Sequence, residues 1–125
     1  MEPSYPSSWA ELRYPWQRAE LLAYLEELAA PDPRPQWAAD LQRGLISGVD
    51  QVIHFFFDDH QFDETAVGVS LLDLTEVGFV QSVMHELDKI IEDLPKGGDN
   101  EYIAHARWPA VTAAALAVHG AMKLR

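Results

Sequence analysis

The residues whose types could support chemistry are concentrated in one short acidic segment of this 125-residue chain. Two histidines and four acids lie close together there: His54, Asp58, Asp59, His60, Asp63 and Glu64. On a helix His54 and Asp58 are one turn apart, so they can offer two ligands to a divalent transition metal. The alternative hypothesis is therefore a metal-binding protein or a metal-dependent enzyme that uses His54, Asp58 and His60. The main hypothesis assigns no metal and no cofactor, because the spacings of di-metal bundles and calcium loops are missing.

Sequence motifs that identify enzymes are missing as well. The chain has no cysteine, no Gly-rich phosphate loop, no G-x-S-x-G elbow and no H-E-x-x-H helix. The lack of cysteine also excludes disulfides, thiolate catalysis and cysteine-ligated zinc. We therefore predict no catalytic residue and lean against an enzyme, although the sequence leaves that question open.

The distribution of charge favours a protein partner. Nine basic and twenty acidic residues give a net charge of −11, and no Lys or Arg occurs between Arg43 and Lys89. Such a surface repels phosphates, so neither nucleic acid nor an anionic membrane is expected as a partner. A basic protein is the expected partner, unless the acids serve solubility alone. The candidate docking residues are Asp58, Asp59, Phe62, Asp63 and Glu64, with Phe62 as an apolar anchor beside Phe57.

Three consecutive phenylalanines, Phe55 to Phe57, precede these acids. On a helix they point in three directions, so at least one ring needs cover from another element. We expect Tyr5, Trp9 and Tyr14 to supply this cover. The alternative is an exposed apolar patch beside an acidic rim, which is typical of a protein-binding surface. His54, surrounded by apolar residues, is expected to be half-buried.

The elements that must position these residues are predicted to be helices. Apolar spacings of three and four predict helices from Pro15 to the prolines at 31–35, from about 35 to 57, from 75 to 94, and from Trp108 to Met122. The predicted fold class is therefore all-α, a compact bundle of four or more helices. The β-branched and aromatic residues of VIHFFF leave an alternative, an α+β fold with a small hairpin around residues 52–74.

Length and composition fit a single domain over residues 1–125, with residues 1–14 as an N-terminal arm. The start has neither the basic region nor the apolar run of a secretory signal. No stretch approaches the roughly 18 apolar residues that span a bilayer. We expect a cytoplasmic protein, and the sequence leaves its oligomeric state open.

Four segments of the chain together resemble a family of small acidic bacterial proteins: VDQVIHFFFDDHQFDE, VGVSLLDLTEV, LDKIIEDLP and GGDNEYIAHARWPAV. The resemblance extends over residues 37–122. That family has no established activity, so the resemblance implies a bacterial cytosolic protein and transfers no functional residue. In being small and acidic, with acids beside aromatic residues, the chain is also similar to immunity proteins of bacterial toxin systems. The resulting hypothesis is a non-enzymatic interaction domain with an immunity-like or regulatory role.

Overall fold

The computed structural model describes residues 8–125, and within that range the chain forms six α-helices and no strand. The α-helices are α1 (Pro15–Ala29), α2 (Arg34–Gln42), α3 (Val49–Ile53), α4 (Leu74–Asp93), α5 (Asp99–Ala104) and α6 (Trp108–Met122). A π-helix (His54–Asp59) continues α3, and 3-10 turns lie at Trp9–Glu11 and Glu64–Ala66. The predicted all-α bundle is confirmed.

The core is built where α6 packs against both α1 and α4. Each of these helices buries one apolar stripe: Leu21, Leu25 and Leu28 in α1, Val80, Val83, Leu87 and Ile90 in α4, and Val111, Ala115, Val118 and Met122 in α6. Helix α6 contains no Asp, Glu, Lys or Arg, so it can lie between two neighbours without burying a charge. The three helices form the scaffold on which the remaining segments rest.

Helix α4 closely matches its predicted range of 75–94, since it runs from Leu74 to Asp93. Val77, Val80 and Leu87 are buried as their spacing predicted. Met84 and Ile91 are only partly buried, whereas their neighbours Val83 and Ile90 are completely buried. The buried face of α4 is therefore rotated slightly around the helix axis from the face that the spacing predicted.

Replacing Leu87 by alanine tests this core directly. Its side chain is completely buried, so we expect Leu87→Ala to lower the free energy of unfolding by about 2–5 kcal/mol through lost burial and a residual cavity. Leu116 on α6 is 61% exposed, and Leu116→Ala is the matched control, with an expected change within about 0.5 kcal/mol. Urea unfolding curves measure both values. A loss below about 1 kcal/mol for Leu87→Ala would contradict the packing described here.

The predicted helix from 35 to 57 is wrong, because the chain breaks between α2 and α3. Gly44 adopts a left-handed conformation with φ of 80°. The amide of Gly44 donates to the Leu41 carbonyl at 3.1 Å, and the amide of Leu45 donates to the Asp40 carbonyl at 2.9 Å. These two bonds form a Schellman motif, which ends helices at glycine. Helix α3 then restarts after Gly48, and its Val49 amide donates to the Asp99 carboxylate at 2.8 Å.

The alternative hairpin around residues 52–74 is also wrong. Residues 52–57 are helical, and residues 66–71 form a tight turn in which the Ala66 carbonyl accepts from three successive amides. Gly68 supplies the positive φ of 86° that this turn requires. The amides of residues 68–71 are all paired inside the turn, so they form no ladder with residues 52–57.

Residues 1–7 of the predicted N-terminal arm, including Tyr5, lie outside the described residues. The remainder of the arm contacts the turn at 66–71: the Arg13 amide donates to the Gly68 carbonyl at 2.9 Å, and the Tyr14 amide donates to the Val69 carbonyl at 3.0 Å. Leu12 is buried. Within residues 8–125, no helix combines the length and apolar composition that crossing a membrane requires.

Candidate functional site

The predicted acidic residues Asp58 and Asp59 lie at the end of the π-helix His54–Asp59. Short π-helical turns are rare and are found frequently at functional sites. In this one, two consecutive rings, Phe55 and Phe56, are both buried, at 2% and 0% exposure. Asp58 and Asp59 remain exposed at its end. The π-helix therefore places the acids on the surface directly above an aromatic core.

That aromatic core is covered from α1. The ring of Tyr24 stacks on Phe55 with centroids 4.4 Å apart, and Phe56 meets Phe55 edge-on at 5.1 Å. Burial of the Tyr24 hydroxyl raises the pKa of Tyr24, and the nearby negative charge of Glu20 raises it further. The predicted cover makes other contacts: Trp9 lies 5.2 Å from the Arg18 guanidinium, and Tyr14 lies 5.7 Å from Trp16. Within residues 8–125 the tyrosine that covers the phenylalanines is Tyr24 of α1, and nothing local to the phenylalanines indicates it.

Phe62, proposed from the sequence as an apolar anchor for a partner, is buried with 4% exposure. Its ring lies 5.6 Å from Phe55 and 5.9 Å from Phe56. Its carbonyl accepts a hydrogen bond from the Gln81 side chain at 3.2 Å, which fixes it against α4. Phe62 therefore belongs to the aromatic core and not to a docking surface. Phe57, the other suggested anchor, is half-buried.

The exposed acids border a cleft of about 480 Å³. The cleft lies between the start of α1, the end of the π-helix and the turn at 66–71. Its walls include Tyr14, Gln17, Asp58, Asp59 and His60. We call this feature the acidic cleft. It brings two of the sequence-predicted carboxylates into one concave site with an aromatic ring.

The other two predicted acids, Asp63 and Glu64, lie beside the acidic cleft and do not line it. Asp63 caps the 3-10 turn that follows: its Oδ1 accepts from the Thr65 amide at 2.9 Å and from the Thr65 hydroxyl at 2.5 Å. These hydrogen bonds stabilise the carboxylate and lower the pKa of Asp63. Asp63 therefore adds negative charge near the cleft, and its own oxygens have a local structural role.

Two exposed aromatic rings lie at one side of the acidic cleft: Tyr14 lines it, and Trp16 contacts Tyr14 with ring centroids 5.7 Å apart. Tyr14 is 38% exposed and Trp16 is 60% exposed. The Arg13 guanidinium lies 5.2 Å from the centroid of the Tyr14 ring. Tyr14 was not predicted as a site residue, because it precedes Asp58 and Asp59 by more than forty positions. Its position just before α1 was the available signal, but only the fold brings the two segments together.

The metal-binding alternative required His54, Asp58 and His60 in one place. His54 Nδ1 lies 2.6 Å from an Asp58 carboxylate oxygen, and both side chains are more than half exposed. The expectation that His54 is half-buried is therefore wrong. His60 instead packs its ring 4.7 Å from Phe55, and its Nδ1 contacts the Gln17 amide. In the described part of the chain, no three His, Asp or Glu side chains are arranged to hold a metal ion.

In contrast to the exposed acids of the cleft, another group of charged side chains is completely buried. This group was not predicted from the sequence. Arg18 of α1 and Glu76 of α4 both have 0% exposure and form a bidentate pair, with N–O distances of 2.5 and 2.7 Å. Glu76 Oε1 also accepts from the Leu72 amide at 2.7 Å, and Arg18 donates to the Ser70 carbonyl at 3.3 Å. Because Ser70 lines the acidic cleft, this pair supports the cleft from beneath.

Arg125 extends the buried pair to the surface. Its Nη1 lies 3.2 Å from Glu76 Oε2 and 3.1 Å from Asp73 Oδ1. The Arg125 hydrogen bond lowers the pKa of Asp73, which also caps α4 by accepting from the Glu76 amide at 3.1 Å. The sequence Asp73-Leu-Thr-Glu76 has the spacing of a capping box, which indicates the start of a helix. The pairing of Glu76 with Arg18 could not be predicted from the sequence, because 58 positions separate the two residues.

Comparison with known proteins gives one match. A family model described as Domain of unknown function (DUF7945) matches residues 12–125. None of the curated proteins and none of the solved structures matches the chain significantly. The match includes the acidic cleft and the buried ion pair, and it agrees with the predicted membership of an uncharacterised family. The function must accordingly be argued from the residues of this chain.

Proposed function

The chain belongs to the DUF7945 family, and from its own surface we propose that it is a non-enzymatic interaction domain that binds a basic segment of a partner protein in the acidic cleft. The observation that carries this proposal is the joint position of Asp58, Asp59 and Tyr14 in the walls of one cleft. The proposal keeps the acidic residues predicted from the sequence and replaces Phe62 by Tyr14 and Trp16 as the apolar contacts.

The chemistry of the acidic cleft suits arginine and lysine side chains. Carboxylates bind the cationic head, and guanidinium groups form strong paired hydrogen bonds with them. An aromatic face attracts the same cation and packs against its methylene stem. The Arg13 guanidinium over the Tyr14 ring is an example of this contact within the chain itself. These features support a basic partner more strongly than net charge alone would.

The remaining acids contribute to the rate of association. Asp63 and Glu64 lie next to the cleft, and the chain carries a net charge of −11. A field of one sign accelerates the encounter with an oppositely charged partner, and salt screens it over about 8 Å at physiological ionic strength. Binding of the basic partner should therefore be salt-sensitive.

The same proposal includes the setting in which the domain acts. An immunity-like or regulatory protein neutralises or controls a partner by covering its basic surface, and it needs no catalytic residue to do so. We place this activity in the bacterial cytoplasm, in line with the features of the sequence. Gene neighbourhood would test this setting, because toxin and immunity genes are expected side by side.

A hexa-arginine peptide serves as the probe for binding. We expect Asp58→Lys/Asp59→Lys to slow its association by at least about tenfold, because both carboxylates of the cleft are reversed. Tyr14→Ala should leave association nearly unchanged and speed dissociation by about threefold, since it removes only a short-range contact. Biolayer interferometry at two salt concentrations measures both rates.

The matched control for this experiment is Asp88→Lys/Glu92→Lys. It changes the net charge by the same amount at two exposed positions of α4, outside the cleft walls. Association should fall far less in this control than in the cleft variant. Equal losses in the two variants would show that the peptide responds to net charge and not to the acidic cleft. An association rate that is the same at both salt concentrations would also refute the proposal.

A further inference from the structure

Helix α2 and the loop after it are largely exposed. Trp37 is the one residue that α2 buries, and every residue from 41 to 46 is exposed. Three of these residues are large and aliphatic: Leu41, Leu45 and Ile46 are 59%, 50% and 78% exposed. The Schellman motif at Gly44 ends α2 and changes the direction of the chain, so these side chains do not pack into the core. We call residues 41–46 the apolar loop.

The apolar loop also carries a cation that has no ion-pair partner within residues 8–125. Arg43 lies among its three aliphatic side chains, and no carboxylate in residues 8–125 lies within ion-pair distance of it. From 32 to 47 the chain holds two arginines and two aspartates, and Arg34 is paired with Asp32, so Arg43 is the cation of this region that remains unpaired within residues 8–125. An exposed apolar patch with a free cation is complementary to a surface that combines acids with exposed aromatic rings.

The acidic cleft is such a surface, and it belongs to the same chain. We propose that the apolar loop of one copy docks into the acidic cleft of a second copy, head to tail. Arg43 lies against Asp58 and Asp59 of the second copy, and Leu45 and Ile46 cover its exposed Tyr14 and Trp16. The inference rests on the proposed function, because it takes the cleft as a receptor for basic groups and names a second copy as the occupant.

The geometry of this contact has a distinctive consequence. Each copy contributes a different surface, so the interface is heterologous and one copy retains a free loop while the other retains a free cleft. Assembly therefore continues beyond two copies as a ring or a chain. Because every copy is strongly negative, the copies repel one another at long range. The association is consequently weak and rises with protein concentration.

Sedimentation velocity on the full chain, with two complementary variants, tests the proposal. The loop variant, Arg43→Glu/Ile46→Ser, keeps an intact cleft, and the cleft variant, Asp58→Lys/Asp59→Lys, keeps an intact loop. We expect the unmodified chain to form concentration-dependent oligomers and each variant alone to stay monomeric. A mixture of the two variants should form heterodimers and nothing larger, because it retains one working loop and one working cleft per pair.

The matched control is Lys123→Glu/Leu124→Ser. Lys123 is another exposed cation that forms no ion pair within the described residues, and Leu124 beside it is 84% exposed. This variant should associate as the unmodified chain does. If it loses association as fully as the loop variant, the apolar loop is not the contact and the proposal is overturned.

Four further outcomes test the two proposals. Hexa-arginine peptide should dissociate the oligomers of the unmodified chain, since it competes for the cleft. A chain that stays monomeric at its highest attainable concentration, yet binds the peptide, overturns the self-association and leaves the proposed function standing. A chain that neither associates nor binds the peptide overturns both. Oligomers larger than two in the variant mixture would exclude the head-to-tail contact.

Discussion

Glu76→Gln is expected to lower the free energy of unfolding by about 3–5 kcal/mol, although it preserves the shape of the side chain. The substitution leaves the Arg18 guanidinium, which is completely buried, without its only anionic partner in the described chain. A buried charge without a partner is costly because the interior solvates it poorly. The loss should appear in urea unfolding curves as a lower midpoint.

Asp32→Asn is the matched control for the buried pair. Asp32 forms an equally well-aligned pair with Arg34, with N–O distances of 2.8 and 2.9 Å, but both side chains are more than 40% exposed. Water and salt screen such a pair, so the same carboxylate-to-amide change should cost much less than Glu76→Gln. Similar losses at the two sites would contradict the burial of Arg18 and Glu76.

A third variant separates the charge from the packing. Arg18→Met/Glu76→Leu replaces both members of the buried pair by apolar side chains of similar length. Since the desolvation cost of the two charges is removed together, this double variant should be more stable than Glu76→Gln. If it is less stable than Glu76→Gln, the hydrogen bonds to the Leu72 amide and the Ser70 carbonyl dominate the site.

Phe56→Ala is expected to cost about 3–5 kcal/mol, because a completely buried ring is replaced by a cavity. Phe56 contacts Phe55 at 5.1 Å, Phe62 at 5.9 Å and Tyr24 at 6.4 Å between ring centroids. It therefore connects the π-helix to α1 and to the segment that follows the acids. Chemical denaturation measures the stability, and near-UV circular dichroism reports the packing of the rings.

Trp16→Ala is the control for the aromatic core. Trp16 is large and aromatic but 60% exposed, and its removal should change stability by no more than about 0.5 kcal/mol. If Phe56→Ala costs as little as Trp16→Ala, the π-helix does not hold its rings in the core. The position assigned to Asp58 and Asp59 at its end would then be wrong as well.

The helices that form the core could be predicted from the sequence because their signals are local. Residues three and four positions apart share a helix face, so apolar spacing identified α1, α4 and α6. It also identified their buried sides, except that the buried face of α4 includes Val83 and Ile90 in place of Met84 and Ile91. Proline at the start of α1 and near the start of α6 marked two boundaries. Each of these signals lies within the helix that it predicts.

The break between α2 and α3 shows where the same argument fails. Spacing from Trp37 through Leu41 and Leu45 predicted one continuous buried face, yet Leu41 and Leu45 are at least half exposed. Gly44 was the contrary signal, because glycine favours the left-handed conformation that ends a helix. Periodicity indicates which residues share a face, but not whether the fold places an apolar surface against that face.

The sequence by itself determined the all-α class, the main helices and the acidic character of the segment from 58 to 64. The tertiary structure alone decided that Phe62 lies inside, that Tyr14 lines the same cleft as Asp58 and Asp59, and that Arg18 and Glu76 form a buried pair. The physical reason is the range of the interactions. Helix formation depends on neighbours within one turn, whereas burial and ion pairing depend on residues that meet only after the helices have packed.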